Sequence, residues 1–161
     1  MKRFIIYDIP DVEFSNGSDI FFNADPYITP CGGCFGCWVK TPGKCVIADR
    51  AQITPECLAK CGEVIIISPI YCGGYSYKIK AVLDRSIGYL LPYFRIVNGE
   101  MHHKMRYENS FKLTVCFYGE RDAEEEEIAR AVTAANAVNF GTDDYQTLFF
   151  DTAEEAKEAV L

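Results

Sequence analysis

The sequence predicts an α/β fold, in which an open, mostly parallel five-stranded sheet carries helices on both faces. Segments typical of strands alternate with segments typical of helices, which is the rhythm of βαβ units. The run Glu63–Tyr71, EVIIISPIY, has an unbroken series of large β-branched apolar residues before Ser68, as in a central parallel strand that is covered on both faces. Asp122 and Glu125 form a capping box that opens a long helix. We therefore expect a single domain over residues 1–161.

The strands are predicted from short apolar runs that end at turn residues. In chain order they are Arg3–Ile9, Asp19–Ala24, Glu63–Tyr71, Phe111–Gly119 and Tyr145–Asp151.

The helices are predicted from capping residues and from apolar residues at helical spacing. Thr54–Gly62 has a proline in its first turn and a glycine at its end. Ser76–Leu90 carries an apolar stripe, and the capping box at Asp122 opens a helix that runs to about Phe140. Thr152 with Glu155 opens a last helix by the same capping pattern.

The connection between the first two predicted strands departs from this rhythm. It holds roughly ten residues, PDVEFSNGSD, whereas a parallel crossover normally takes about a dozen or more. The pair Asn16-Gly17 is typical of a tight type I′ hairpin turn. We therefore predict that the first crossover helix is missing and that a hairpin-type turn stands in its place.

Composition excludes several classes of protein. A hydrophobic content of 49% with 24% charged residues is ordinary for a soluble globular protein, and no apolar run reaches the ~18–20 residues of a membrane span. A net charge of −7 argues against binding to nucleic acid or to anionic membranes. The N-terminal stretch becomes acidic too early for a secretory signal, and the chain still carries eight cysteines. We expect a cytoplasmic protein.

Four of the cysteines, Cys31, Cys34, Cys37 and Cys45, lie in one short stretch, CGGCFGCWVKTPGKC. Four thiolates at such spacing are able to ligate zinc or an iron–sulfur cluster. The alternative is a tight loop of small thiols that ligate nothing, because spacing alone establishes neither geometry nor thiolate state.

The remaining cysteines are predicted to be buried free thiols at Cys57, Cys61 and Cys116. Cys72 differs because it lies in a loop after the central strand, where its reactivity is worth testing. His102 and His103 are adjacent, so on a strand they would point to opposite sides and make a poor metal pair.

The loop Ser68–Ser76, SPIYCGGYS, follows the central strand at the edge where open α/β sheets bind ligands. Its glycines permit close approach of a ligand to the backbone, and its tyrosines offer flat faces to a planar heteroaromatic group. The alternative is a glycine turn whose tyrosines merely cover the end of the sheet.

Three blocks together carry a family resemblance: CGGCFGCWVKTPGKCVIADR, EVIIISPIYCGGYSYKIKAVLDR and LPYFRIVNGEMHHKMRY. From about Cys31 to Gly119 the chain resembles the flavodoxin-like NAD(P)H-dependent FMN reductases, the group that includes the iron–sulfur flavoproteins. The resemblance implies a flavodoxin-like sheet with FMN at its carboxyl edge. It also implies two flavin loops, formed by Ser68, Pro69, Ile70, Tyr71, Cys72, Gly73, Gly74, Tyr75 and Ser76, and by Gly119 and Glu120.

One departure from the family concerns the phosphate of FMN. Family members hold it on a loop and helix N-terminus after the first strand. Here the corresponding segment is YDIPDVEFSNGSD, which has no basic residue and brings the carboxylates Asp8, Asp11 and Glu13. We therefore expect the chain to bind the flavin ring of FMN, whereas the binding of the FMN phosphate is in question.

The resemblance implies an FMN-dependent oxidoreductase that passes electrons from NAD(P)H to a small acceptor such as a quinone or flavin, with no protein acid or base required. It also implies a homodimer or homotetramer. One alternative is a flavodoxin-fold oligomeric or regulatory protein that has lost FMN binding. A second is an iron–sulfur or zinc protein that uses the Cys31–Cys45 loop.

Overall fold

The structure is a computed structural model, and it describes residues 2–12, 14 and 17–160. Its strands are β1 (Arg3–Tyr7), β2 (Ile20–Asn23), β3 (Glu63–Pro69), β4 (Leu90–Val97), β5 (Glu100–Met105), β6 (Lys112–Tyr118) and β7 (Tyr145–Phe150). Its α-helices are α1 (Gly36–Val39), α2 (Thr54–Lys60), α3 (Tyr77–Arg85), α4 (Ala123–Phe140) and α5 (Ala153–Glu158). Short 3₁₀ turns cover Arg50–Ile53 and Ser86–Tyr89.

The main sheet has five strands in the order β2-β1-β3-β6-β7, and each neighbouring pair is parallel. The central strand β3 is buried at Val64–Ile67, because layers of protein cover both of its faces. The α/β class and the five predicted strands are confirmed. Both predicted capping boxes are also present, at Asp122 with Glu125 and at Thr152 with Glu155.

The two faces of the sheet are covered differently. On one face α2, α3 and α4 pack on alternate strand residues, with Leu58, Ile79 and Ala129 fully buried. On the other face α5 packs beside the connection between β1 and β2, which contributes Ile9 and Phe14. The Phe14 ring lies edge-on to Tyr7 at 4.5 Å and stacks on Phe21 at 5.4 Å. In this way the connection covers apolar strand residues that a crossover helix would otherwise cover.

The described part of the β1–β2 connection contains no helix, as predicted from its length. The hairpin prediction is wrong, because β1 and β2 run parallel, with Phe4 paired to Ile20 and Tyr7 to Asn23. Asn16 lies outside the described residues, so the predicted turn at that position is not described. The physical reason for the error is that pairing beside the buried β1 favours the parallel register over the local turn preference of Asn-Gly.

A second sheet, which sequence patterning did not reveal as strands, is the antiparallel hairpin of β4 and β5. It corresponds to the aromatic-rich segment between the third helix and β6. Arg95 ties this hairpin to the C-terminus of α4 by donating to the Val138 carbonyl at 2.9 Å. None of the helices among the described residues is long and apolar enough to cross a membrane.

Candidate functional site at the carboxyl edge of the sheet

The two predicted flavin loops leave neighbouring strands at the same edge of the sheet. Ser68 pairs with Phe117 and Pro69 with Tyr118 at the end of the β3–β6 ladder. Beyond it, the Ile70 amide donates to the Tyr118 carbonyl at 2.9 Å. The loops Ser68–Ser76 and Gly119–Glu120 are therefore adjacent, as their places after parallel strands require.

A two-residue turn closes the first loop. The Tyr71 amide donates to the Gly74 carbonyl at 3.0 Å, and the Gly74 amide donates to the Tyr71 carbonyl at 2.8 Å. Cys72 and Gly73, between them, have φ values of +48° and +74°, as in a type I′ turn. A Cβ on Gly73 would lie 2.5 Å from Cβ of Ile128, so this glycine also permits close packing against α4. The turn leaves Tyr71 61% exposed and Cys72 exposed.

Ser68 and Ser76 hold the ends of the loop together. The Ser76 amide donates to Ser68 Oγ at 2.9 Å, and Ser68 Oγ donates to the Pro69 carbonyl at 2.8 Å. Ser76 is the N-cap of α3 and accepts from the Ile79 amide at 3.2 Å. Both serines are buried. Their hydroxyls therefore shape the loop.

The side chain of Tyr75 is also held by contacts within the protein. Its ring stacks on Phe117 at 5.3 Å, and its hydroxyl accepts from Asn136 Nδ2 at 3.1 Å. Burial raises the pKa of Tyr75 to about 12, so the phenol stays protonated at neutral pH. Of the two tyrosines in the loop, Tyr71 is the one with an exposed face.

An ion cluster lies next to the end of β1, and the segment that follows this strand contributes Asp8 to it. Asp8 is buried, and its Oδ1 lies 3.3 Å from Nζ of Lys78 in the first turn of α3. The same ammonium lies 3.3 Å from Oδ1 of Asp25, and Tyr118 Oη donates to the Asp8 carbonyl at 2.6 Å. Sequence reasoning missed Lys78. Its position two residues after the N-cap of the helix that follows β3 was the available signal, since that helix starts at the same edge.

The residues at this edge fit FMN in one half. Gly119, at φ +111°, has open space where a side chain would stand, because a Cβ there would meet only Ile70 Cγ2, at 3.9 Å. Together with the exposed face of Tyr71, this space suits a flat ring. Where the phosphate would lie, the Lys78 ammonium faces the carboxylates of Asp8 and Asp25. The net negative charge of this cluster would repel an anion.

The cysteine loop packs at the other end of α3. Arg85, fully buried at the last residue of that helix, donates from Nε to Cys45 Sγ at 3.1 Å. It also donates to Asp49 and to the carbonyls of Thr29 and Ile47, so all five N–H groups of the guanidinium are used. Sequence reasoning missed this arginine, although its place three residues after the buried Val82 set it on the buried face of the helix.

Cys37 and Cys45 are buried, whereas Cys31 and Cys34 are exposed. Burial raises the pKa of the Cys37 thiol, and the charges of Cys45, Cys31 and Cys34 raise it further. Among the described residues, no three His, Cys, Asp or Glu side chains are placed to share a metal ion. As arranged, the loop does not fit a metal centre.

The other predicted thiols behave as expected. Cys57, Cys61 and Cys116 are buried and free, and desolvation raises the pKa of Cys61 and of Cys116 to about 12. These thiols are inert packing groups.

No protein-family profile matches the chain. Over 63 residues, or 39% of the chain, it is 38% identical to an iron–sulfur flavoprotein from Methanocaldococcus jannaschii. It is 30% identical over 70 residues, or 44% of the chain, to an iron–sulfur flavoprotein from Methanosarcina thermophila. The matches span only 32% and 36% of the lengths of these relatives.

Two solved structures share the fold over nearly the whole chain. A protein from Streptococcus mutans superimposes with a TM-score of 0.64 at 9% identity, covering 99% of this chain and 95% of its own. An FMN-dependent NADH-azoreductase from Bacillus anthracis, solved in complex with FMN, gives a TM-score of 0.58 at 15% identity, covering 98% and 96%. The predicted resemblance is confirmed: the chain has a flavodoxin-like α/β fold and is similar, over 39–44% of its length, to iron–sulfur flavoproteins.

Proposed function

We propose that this chain is an FMN-dependent oxidoreductase that passes electrons from NAD(P)H to a small acceptor such as a quinone or flavin. The observation that carries the proposal is the pair of loops, Ser68–Ser76 and Gly119–Glu120, side by side at the carboxyl edge of the sheet. The FMN complex of the structural neighbour and the flavoprotein names of the relatives support FMN as the cofactor.

When bound, FMN supplies the hydride and electron chemistry. The protein would hold the flavin ring in position. Tyr71 would cover the ring with its exposed face, and the backbone of the Cys72–Gly73 turn would border the ring edge. Gly119 would admit the ring close to the end of β6. No acid or base of the protein is needed for hydride transfer, and the protonated phenol of Tyr75 is held away in the hydrogen bond with Asn136.

Lys78 is the basic group that the chain offers to the phosphate of FMN. It has to serve there in competition with Asp8 and Asp25, its present partners. Charge-assisted hydrogen bonds contribute roughly 1.5–3 kcal/mol each, so a shared ammonium is a weaker anion site than a free helix N-terminus with several donors. We therefore expect FMN to be bound mainly through its ring system.

We further propose a cytoplasmic homodimer or homotetramer. The hairpin of β4 and β5 exposes four large apolar side chains: Tyr93 at 66%, Phe94 at 55%, Ile96 at 67% and Met101 at 66%. Such a patch is typical of a subunit contact. Light scattering of the Ile96→Glu variant tests whether this patch is the subunit contact. A buried charge there should weaken the oligomer and lower the measured mass. If the mass does not change, the contact lies elsewhere.

The test of the enzyme is a titration of purified protein with FMN, followed by flavin fluorescence. Tyr71→Ala should weaken FMN about tenfold, because ring stacking contributes about 1 kcal/mol or more. Tyr145→Ala, at an exposed tyrosine at the start of β7 and so at the opposite edge of the sheet, is the matched control and should leave FMN affinity unchanged. NADH oxidation with a quinone acceptor should then depend on FMN.

The same preparation discriminates the alternatives. Bands near ~450 and ~370 nm belong to flavin, and a shoulder near ~400 nm belongs to an iron–sulfur cluster. If the protein is colourless and does not quench the fluorescence of FMN at saturating concentration, the enzyme proposal is wrong. The result would favour the alternative of an oligomeric or regulatory protein that does not bind FMN. Because clusters oxidise readily, the sample has to be prepared without oxygen before the cluster is dismissed.

A further inference from the structure

The first residue after β1, Asp8, brings a buried carboxylate to the carboxyl edge of the sheet. Asp8 is 6% exposed, and its backbone is held on both sides. Its amide donates to the Ile67 carbonyl at 3.0 Å, and its carbonyl accepts from Tyr118 Oη at 2.6 Å. Because open α/β sheets bind ligands beyond this edge, a fixed negative charge borders the place of a ligand.

A single ammonium balances the carboxylates of Asp8 and Asp25. Nζ of Lys78 lies 3.3 Å from Oδ1 of each. Desolvation opposes the charge, but the two carboxylates raise the pKa of Lys78, so its ammonium is kept at neutral pH. One positive and two negative charges give the cluster a net charge of −1. A phosphate monoester, which carries roughly −1.5 to −2 at pH 7, would be repelled by this cluster.

The backbone amides beside the cluster are already used within the protein. The Ala24 amide donates to the Tyr7 carbonyl at 2.7 Å, and the Asp25 amide donates to Asn23 Oδ1 at 2.9 Å. Proteins commonly hold phosphate on the free amides of a helix N-terminus. The described part of the connection between β1 and β2 has no helix to supply them. Neither the charges nor these amides therefore favour a phosphate.

The carboxylate of Asp25 is the accessible one of the two. The side chain of Asp25 is 48% exposed, whereas that of Asp8 is 9% exposed. An ionised carboxylate accepts strong hydrogen bonds from hydroxyl groups. Riboflavin ends in a hydroxyl group at the position where FMN carries its phosphate. The charge that repels FMN at this position is therefore a hydrogen-bond acceptor for riboflavin.

We propose that Asp8 and Asp25 make the flavin site selective for a flavin without phosphate, so that riboflavin binds more tightly than FMN and its terminal hydroxyl donates to Asp25. FMN still binds through its ring system. The inference rests on the proposed function in one respect, that the loops Ser68–Ser76 and Gly119–Glu120 hold a flavin ring. It adds the residues that decide which flavin the ring site prefers.

The test compares three flavins with the same ring. Lumiflavin has a methyl group in place of the side chain, riboflavin has the uncharged ribityl chain, and FMN has the ribityl phosphate. Quenching of flavin fluorescence gives each affinity, and calorimetry gives an independent value. We expect riboflavin to bind about tenfold more tightly than FMN and several-fold more tightly than lumiflavin.

The deciding variant is Asp25→Ala, which removes the accessible carboxylate. Riboflavin should lose several-fold in affinity with its acceptor, FMN should gain about tenfold, and lumiflavin should change less than about twofold. The unchanged lumiflavin affinity also shows that the ring site is still folded. Asp84→Ala is the matched control, because Asp84 is 46% exposed and pairs with Lys80 at the other end of α3. It changes the net charge of the protein equally and should shift no flavin by more than about twofold.

Three outcomes would overturn the selectivity: FMN binding more tightly than riboflavin in the wild type, shifts of riboflavin and FMN in the same direction in Asp25→Ala, or equal effects of Asp25→Ala and Asp84→Ala. In each of them FMN has bound, so the proposed function survives. If none of the three flavins binds, the proposed function is wrong and this inference falls with it. The two failures are therefore told apart by lumiflavin.

Discussion

Arg85 donates to Asp49 through two parallel hydrogen bonds, Nη1 to Oδ2 at 2.8 Å and Nη2 to Oδ1 at 2.7 Å, while the Nε of the same guanidinium contacts Cys45 Sγ at 3.1 Å. A fork of this kind matches a planar carboxylate and is not reproduced by an ammonium. One buried side chain of α3 therefore fixes the cysteine loop at several points.

We expect Arg85→Lys to destabilise the protein by about 3 kcal/mol, because the half-buried Asp49 carboxylate and the loop carbonyls lose donors from a fully buried side chain. Urea unfolding measures this. The iodoacetamide labelling rate of Cys45, read by mass spectrometry, should rise as the loop loosens. Arg130→Lys is the control: Arg130 is 58% exposed, pairs with Glu126 on the surface and should change stability by less than ~0.5 kcal/mol. Equal effects of the two substitutions would contradict the role given to Arg85.

The same pair makes stability depend on acid pH. The hydrogen bond from Arg85 lowers the pKa of Asp49 below its ordinary value of 3.8. Because the folded pKa is depressed, this stabilisation is complete above about pH 4 and is lost as the pH falls through the folded pKa. Unfolding free energies of the wild type and of Asp49→Asn, compared between about pH 5 and pH 3, should converge at the acid end. A difference that stays constant with pH would refute the assignment.

Gly73→Ala should destabilise the protein by about 3 kcal/mol, because the residue has φ +74° and the new Cβ would lie 2.5 Å from Ile128 Cβ and 3.0 Å from the Glu125 carbonyl. Gly74→Ala is the neighbouring control, since its Cβ would come no closer than 3.5 Å to the Tyr71 carbonyl. We expect a change below about 1 kcal/mol there. Thermal unfolding of both variants checks the geometry of the loop Ser68–Ser76 without any cofactor.

Asp8→Asn should strengthen FMN about tenfold, since removing one carboxylate frees Lys78 for the phosphate. Riboflavin has the same ring and no phosphate, so its affinity should not change. Asp84→Asn removes a charge that is paired with Lys80, and is the control for the net charge of the protein. An equal gain for riboflavin and FMN would show that Lys78 does not serve the phosphate.

Phe14→Ala should destabilise the protein by about 3 kcal/mol, as expected for a large aromatic side chain packed on the sheet. Phe35→Ala is the control, because Phe35 is 61% exposed, and it should lose less than about 1 kcal/mol. Chemical denaturation compares the two. A small loss at Phe14 would mean that the connection between β1 and β2 is not a structural cover for its face of the sheet.

Most of the fold could be predicted because its signals are local. The apolar run of β3, the capping boxes of α4 and α5 and the apolar stripe of α3 are each written in consecutive residues. The β1–β2 connection shows where prediction from local sequence fails. Asn16-Gly17 favours a hairpin locally, but the strands pair in parallel because sheet pairing depends on the whole buried strand.

The candidate site could be located but not resolved in detail from sequence. The two loops follow strand ends, so their shared edge follows from the fold class. The partners of Lys78 and Arg85 are set by contacts between elements distant in the chain, for which a single sequence has no local signal.

The Arg85 contact has a consequence during synthesis on the ribosome. Cys45 is made 40 residues before the arginine that holds it, which at ~5–20 residues per second is a delay of several seconds. Until α3 has emerged and docked, Cys37 and Cys45, the two buried thiols of the cysteine loop, lack the protection of the folded protein. These two thiols are therefore most vulnerable to oxidants during a window that closes when Arg85 docks on the loop.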